Sequence, residues 1–270
     1  MNMSRRLGQA VLLFMAFMVL FPLFWTLLNA FKQNVDILTR TPKFIFTPVL
    51  DNIMFVLSRQ SVLQALVNSL IICLASVLIG VALGLPAAYA IARYPNRITD
   101  ELQFFVLSLR FLPPVAVAIP LMVIWLNLGL FDTRLAMIVT YSLLTISITI
   151  WLSVPGFQQV PKEIEEAARM DGYGAYAVFF RIALPVAART LLGAIAFSFV
   201  LIWNEFLIAL MLTTSDARTL PIVASEMSQL GMDVPWGILN AAVILLSIPP
   251  LLLLGLLSGF MNSVFSRKKK

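Results

Sequence analysis

Side chains able to shuttle protons, attack carbonyls or hold metals are scarce in this chain: 13 carboxylates, one cysteine and no histidine among 270 residues. Histidine is the usual proton shuttle near neutral pH and the commonest metal ligand, so its absence argues against acid–base or metal-assisted hydrolysis. Cys73 sits in the middle of an apolar run, which leaves neither a disulfide nor a thiolate metal cluster. No GxxxxGKS/T phosphate loop occurs, so the chain lacks the backbone cradle that holds nucleotide phosphates. The chemistry left to its polar residues is recognition.

The densest polar pattern is Val160-Pro-Lys-Glu-Ile-Glu-Glu-Ala-Ala-Arg-Met-Asp-Gly172. Pro161 suits the first position of a helix, where its missing N–H costs nothing. Glu163, Glu165 and Glu166 load the first turns with negative charge, which the helix dipole favours. Glu165 stands four residues before Arg169, the favourable order for an ion pair. Gly172, with Gly174 close behind, is a natural stop. The pattern predicts a helix near 161–172, about 16 Å long at a rise of 1.5 Å per residue. Ile164, Ala167, Ala168 and Asp171 share one face, and the two alanines keep it low enough for another backbone to approach. Ala175 to Leu184 follows as an amphipathic stretch, expected to lie in a membrane interface before Pro185 turns the chain.

A second polar group is set within apolar sequence: Arg110 beside Pro113-Pro114, and Trp203, Asn204 and Glu205 in a row. Charges at membrane depth are costly and face a cavity or a partner. These four residues are candidates for a translocation path or, equally, for polar clamps between helices. Arg110 could also snorkel to an interface. An indole face with amide and carboxylate groups would suit the C–H faces and hydroxyls of a sugar. Asn68, Asn127 and Asn240 are weaker candidates, expected in caps or interhelical hydrogen bonds.

The elements that must position these residues follow from composition. The chain is 60% hydrophobic and 12% charged, with a mean hydropathy of +0.95, too little charge to cover a soluble domain. A bilayer core needs about 20 apolar residues in a helix. Six spans are predicted near 7–31, 64–92, 103–127, 135–157, 186–212 and 237–264, making an all-α polytopic membrane protein with one transmembrane domain over 1–270. The first span is about twice as long as a signal-peptide core and lacks a small-residue cleavage site, so it is expected to stay as an anchor. Of the 19 basic residues, 12 fall on the side shared by the termini and the second–third and fourth–fifth connections, six on the other, and Arg110 within a span. Both termini and the 161–172 helix are therefore expected to be cytoplasmic. The loop around 32–61 strains the rule, since Lys32, Arg40, Lys43 and Arg59 lie there. Prolines from Pro22 to Pro250 in or beside the spans suggest bent helices around a pathway. Gly80 and Gly84 form a GxxxG pair that would permit close helix contact.

Glu166-Ala167-Ala168, three residues, Gly172, nine residues, then Ile182-x-Leu184-Pro185 resembles the EAA loop of ABC importer permeases, in the connection where that family carries it. Asn68-Ser69, Ala87 to Arg93, Arg110 to Pro114, Ile119 to Leu121, Leu128 to Thr133, Trp203 to Phe206 and Arg218 to Pro221 look like the carbohydrate branch, of maltose, glycerol-phosphate and polyol type. The resemblance implies a coupling helix that docks on a cytoplasmic ATPase dimer through Glu166, Ala167, Ala168, Asp171, Gly172, Ile182, Leu184 and Pro185. It implies a second homologous permease subunit completing the pore, and an extracytoplasmic substrate-binding protein. ATP and Mg would be bound by the ATPase, with no cofactor, metal or catalytic residue in this chain and no nucleic-acid partner. The expected setting is a bacterial inner membrane. Importers of other polar solutes, such as polyamines or phosphonates, share the EAA signature, and a secondary carrier is the more distant alternative. One departure is the end of the chain: many carbohydrate-branch members carry a glycine-rich tail, where this chain has Ser258 to Lys270 with a lysine cluster suited to anionic lipid.

Overall fold

In lipid a backbone must satisfy its own hydrogen bonds, and helices do so within one segment. The computed structural model describes residues 3–229 and 234–266, with side chains for 7–109, 111–229 and 234–259, and among these every regular element is a helix. The long ones are α1 (Met3–Ala30), α2 (Gln60–Arg93), α5 (Arg134–Gln158), α7 (Ala175–Trp203) and α10 (Trp236–Ser266). Shorter ones include α3 (Arg97–Ser108), α4 (Pro114–Asn127), α6 (Lys162–Met170), α8 (Leu207–Leu212) and α9 (Leu220–Glu226), besides two in the loop after α1, Asn34–Ile37 and Asp51–Ser58. Five helices among the described residues are long and apolar enough to cross a bilayer, and α4 is a shorter apolar one.

Two predicted spans differ from single helices. The third, 103–127, is broken: α3 ends at Ser108, a 3₁₀ turn covers Leu109–Phe111, and α4 starts at Pro114. The cause is Pro113-Pro114, since a residue before proline is pushed out of the helical region. Pro113 is accordingly extended, with ψ 129°. The fifth span begins earlier and ends earlier than predicted. The stretch from Ala175 joins it directly, so the interfacial segment and the turn at Pro185 are replaced by one continuous helix. A π turn at Phe179–Ala183 makes this workable, with the Leu184 N–H reaching Phe179 O. Such widening offers room for a ring that would otherwise press on the preceding turn. At the other end the helix stops at Trp203, leaving 204–206 non-helical before α8.

The chain divides into two compact units, residues 1–64 with 220–249 and residues 65–219 with 250–270. In the first, Phe17, Phe21, Trp25 and Phe44 form a row of ring contacts with centroids 5.4–6.1 Å apart. Lys32, counted above as a loop charge, is buried with its ammonium 4.3 Å from the Trp25 ring centre and 5.1 Å from that of Phe46. Burial pushes its pKa down, and Asp36 offsets part of that. Asn52 holds this corner by donating to the carbonyls of Ala30 and Lys32 at 3.0 and 2.8 Å.

In the second unit α2 lies against α5 so closely that a methyl group at Gly80 would stand 2.5 Å from Thr145 Oγ1, and one at Gly84 2.9 Å from Thr149 Cβ. The GxxxG pair is thus the flat strip where the two backbones meet. Ser76 and Thr145 lock it, through Thr145 Oγ1 to Ser76 O at 2.7 Å and Ser76 Oγ to Ile138 O at 3.1 Å. At one end of the unit Tyr89, Phe157 and Phe179, from α2, α5 and α7, form an aromatic knot with centroids 5.1–6.0 Å apart.

Candidate functional site

Three polar arrangements stand out in the second unit. The first holds α6. The helix starts after Pro161, which is extended at ψ 129°, and ends where Gly172 takes φ 88°, a left-handed angle that L side chains resist. The amide of Asp171 closes onto Ala167 O, and that of Tyr173 onto Ala168 O, both at 3.0 Å. Only Glu165 and Ala168 of this helix are buried. Glu165 does not pair with Arg169 as its spacing suggested. Its Oε1 accepts from Arg93 Nη2 at 2.6 Å and Nε at 2.8 Å, and its Oε2 accepts from Tyr89 Oη at 2.7 Å. Arg93 Nη2 also donates to Val160 O at 3.0 Å. Both charged side chains are nearly enclosed, at 5% and 4% exposure. A buried carboxylate needs such partners, which explains why Glu165 turns inward to the end of α2 rather than along its own helix.

Beside this ion pair Arg93, Tyr94, Lys162, Glu165, Glu166 and Arg169 line a polar recess of about 170 Å³. Glu166, Ala167, Asp171 and Gly172 are exposed. The alanine pair is therefore split, Ala168 against the rest of the chain and Ala167 outward. Of the more distal positions named from the sequence, Ile182 and Leu184 are half-buried in the π-turn region, and Pro185 is exposed.

The second arrangement is a cavity of about 250 Å³ lined by Leu109, Leu112, Pro114, Val117, Leu143, Leu144, Ser147, Glu205 and Ile208. The break between α3 and α4 and the break between α7 and α8 both open onto it. Non-helical backbone at membrane depth is tolerated where it lines such a space. Glu205 spends its carboxylate here: Oε1 accepts the Ile208 N–H at 2.8 Å, while Oε2 accepts the Ala209 N–H at 3.1 Å and the Tyr141 hydroxyl at 2.6 Å. A negative charge against the first amides of α8 is the favourable sense of the helix dipole. Asn204 is exposed and donates to Val200 O at 2.8 Å. Trp203, by contrast, is 1% exposed and stacked on Phe199 with centroids 5.6 Å apart, so it packs away from the cavity. Arg110 belongs to the 3₁₀ turn between two cavity-lining residues, and its side chain lies outside the described residues.

The third arrangement joins stretches that the sequence marked only as family-like, and Asp132 was not among the candidate site residues. Asp132, at φ 58° in the loop before α5, accepts six hydrogen bonds. They come from the amides of Thr214, Ser215, Asp216 and Ala217 and the hydroxyls of Thr214 and Ser215, all at 2.8–3.1 Å. Burial alone would raise its pKa. The amides of Asp216, Thr214 and Ala217 and the Thr214 hydroxyl outweigh that and hold it well below the usual carboxylate range. Asn68 adds to the same region, donating to Asp216 O at 2.8 Å and Arg218 O at 3.0 Å and accepting from Arg134 Nε at 2.7 Å. Asn68 is thus an interhelical tie, as expected, and Asn240 bonds within its own helix, to Trp236 O. Asp132 lies within Leu128 to Thr133, one of the stretches that resemble the carbohydrate branch, but nothing in that stretch pointed to the loop 214–217 as its partner.

Residues 80–270 match the model of a family described as binding-protein-dependent transport system inner membrane component. The chain belongs to this family. It is 33% identical over 236 residues to the ABC transporter permease protein y4oR of Sinorhizobium fredii, covering 87% of this chain and 84% of that one. It is 30% identical over 238 residues to the trehalose/maltose transport system permease protein MalG of Thermococcus litoralis, covering 87% and 85%. In fold it is similar to a chain of a bacterial ABC transporter that imports the acidic polysaccharide alginate, with a TM-score of 0.77 at 18% identity over 96% of this chain and 98% of that one.

For a transport permease the arrangements divide the work. The cavity lies between the helix breaks, and α6 is tied to the end of α2 by one face while Glu166, Ala167 and Asp171 on it are exposed. Among the described residues no three His, Cys, Asp or Glu side chains are grouped so as to hold a metal ion.

Proposed function

We propose that this permease forms half of the translocation pore of an ATP-driven importer for a sugar or sugar derivative. In this assignment α6 is the coupling helix. It docks on a cytoplasmic ATPase dimer, which binds the ATP and Mg, and both termini of the permease lie on the same side as that ATPase. A second homologous permease completes the pore, and an extracytoplasmic binding protein delivers the solute.

The observation that carries this is the two-sided character of α6. Its inner face is tied to α2 by Arg93 and Glu165, while Glu166, Ala167 and Asp171 face outward on a helix too short and too polar to span lipid. A carbohydrate cargo is supported by the trehalose/maltose relative and by the alginate importer's fold. The path itself is assigned to the cavity bounded by Glu205, Ser147 and the two helix breaks. The Glu205 charge is matched by Tyr141 and the amides of α8, so it serves the shape of the cavity rather than an ion-coupling cycle of the kind a secondary carrier needs.

The test is uptake by proteoliposomes holding the assembled complex, its binding protein and internal ATP, across a panel of mono- and oligosaccharides, polyamines and phosphonates. A saccharide should stimulate both ATP hydrolysis and uptake. Glu166→Lys and Gly172→Asp should stay in the membrane at normal levels and lose uptake. Stimulation by a polyamine or phosphonate alone would redirect the cargo. Normal uptake by both variants at normal protein levels would contradict the coupling role of α6.

A further inference from the structure

Glu165 and Glu166 are neighbours in sequence with opposite surroundings, and the difference separates docking from transmission. Glu166 faces outward. Glu165 lies inside, gripped by Arg93 through two nitrogens and by the Tyr89 hydroxyl. We propose that Glu165, Arg93 and Tyr89 form the joint through which a displacement of α6 is passed to the membrane helices. This rests on the importer assignment above.

The covalent ends of α6 are poor transmitters. At one end Val160 leads into the extended Pro161, and at the other Gly172 turns at φ 88°. Backbone turns of this kind absorb rotation, as hinges do. The side-chain tie does not swivel so freely. Arg93 closes on Oε1 through two nitrogens while the Tyr89 hydroxyl holds Oε2, so the carboxylate is fixed from two sides. The same guanidinium holds Val160 O, so the linker and the helix are gripped at one point.

What lies behind that point is stiff. Arg93 is the last residue of the 34-residue α2, which abuts α5 along Gly80 and Gly84. The Tyr89 ring is wedged against Phe157 of α5 and Phe179 of α7, 5.4 and 5.1 Å between centroids. A push on Glu165 therefore reaches α2, α5 and α7 through one buried cluster. Ala168, the other buried residue of α6, offers only a methyl group. These three residues are positioning residues for coupling and touch neither solute nor nucleotide.

The experiment uses the complete importer in proteoliposomes and reads three quantities: assembled complex, basal ATP hydrolysis, and solute imported per ATP. Glu165→Gln keeps the side chain's size and one acceptor and removes the charge. It should assemble and hydrolyse ATP at the basal rate while import per ATP falls by about fivefold or more. Tyr89→Phe keeps the ring in its knot and removes the hydroxyl that meets Glu165 and Arg169 while leaving the Arg93 pair in place, so a smaller fall of about twofold is expected. Unchanged import per ATP in Glu165→Gln would overturn the joint. So would a loss of uptake matched by an equal loss of assembled complex in both variants, since that is what a purely structural tie produces. A wild-type complex showing no ATP-dependent import would remove the importer assignment itself. Wild-type import with an indifferent Glu165→Gln removes the joint alone.

Discussion

A carboxylate fastens the chain just before α5 and another just after it, and the two are held by different kinds of donor. Before its first turn, Asp132 is held by four amides and two hydroxyls of a single loop, 214–217. Beyond its last turn, Glu165 is held by two side chains that reach across from α2. Backbone donors cannot shift without refolding the loop, so the Asp132 end is a fixed plate. Side-chain donors on long stems can yield in step with the helices that carry them, so the Glu165 end can move as a joint. The same residue class thus gives anchorage or transmission according to whether main chain or side chain answers it.

The largest expected effect tests the movable end. Arg93→Met leaves Glu165 buried without its countercharge and should cost about 3–5 kcal/mol, read as a fall in the thermal midpoint of the detergent-solubilised permease. Any complex that survives should import less per ATP. At the fixed end Asp132→Ala strips six donors of their acceptor, but water can reach part of the loop, so roughly 2–4 kcal/mol is expected. Here import per assembled complex should be preserved, and a coupling defect as deep as that of Arg93→Met would erase the contrast between the ends.

The shaft between the ends comes next. Gly80→Ala places a methyl group 2.5 Å from Thr145 Oγ1, and overpacking of this kind costs about 1–3 kcal/mol. A midpoint unchanged by Gly80→Ala would mean that α2 and α5 are free to part, and the stiff transmission inferred from them would fail. The smallest change is expected with pH. The folded pKa of Asp132 lies below its unfolded value, so its stabilisation is present above about pH 4 and is lost only as pH falls through the depressed folded value. The fixed end should therefore not weaken between pH 7 and 5. A loss of midpoint over that interval in wild type, absent in Asp132→Asn, would contradict the carboxylate's hold.

Much of this was legible in the sequence, and the reasons it stopped where it did are physical. Apolar length marks where helices run, so α1, α2, α5 and α10 follow from composition. It does not mark where they break, because a proline pair such as Pro113-Pro114 can bend a span or divide it, and the outcome depends on what lines the gap. The end of α7 at Trp203 has no breaker residue at all, and it is legible only through the capping by Glu205 of the helix that follows. Pro161, the glutamates and Gly172 sufficed to locate α6. Helix spacing alone paired Glu165 with Arg169, because i,i+4 geometry is visible in one dimension and the end of α2, 72 residues away, is not. Arg93 was nonetheless a clue, as the charge that closes a long apolar run. Asp132 offered less, since its meaning lies in a loop more than 80 residues further on.

In the coupling role proposed for it, α6 presents one face to an ATPase and keeps the other for its own chain. In a Cys73→Ser background, Ala167→Cys and Ala168→Cys differ by one position, one exposed and one buried. A short bifunctional thiol reagent applied to the transporting complex, with a cysteine at the matching cleft of the ATPase, should join Ala167→Cys to that subunit and leave Ala168→Cys unlinked. Equal yields from both positions, or no cross-link from either in a complex that imports solute, would contradict it.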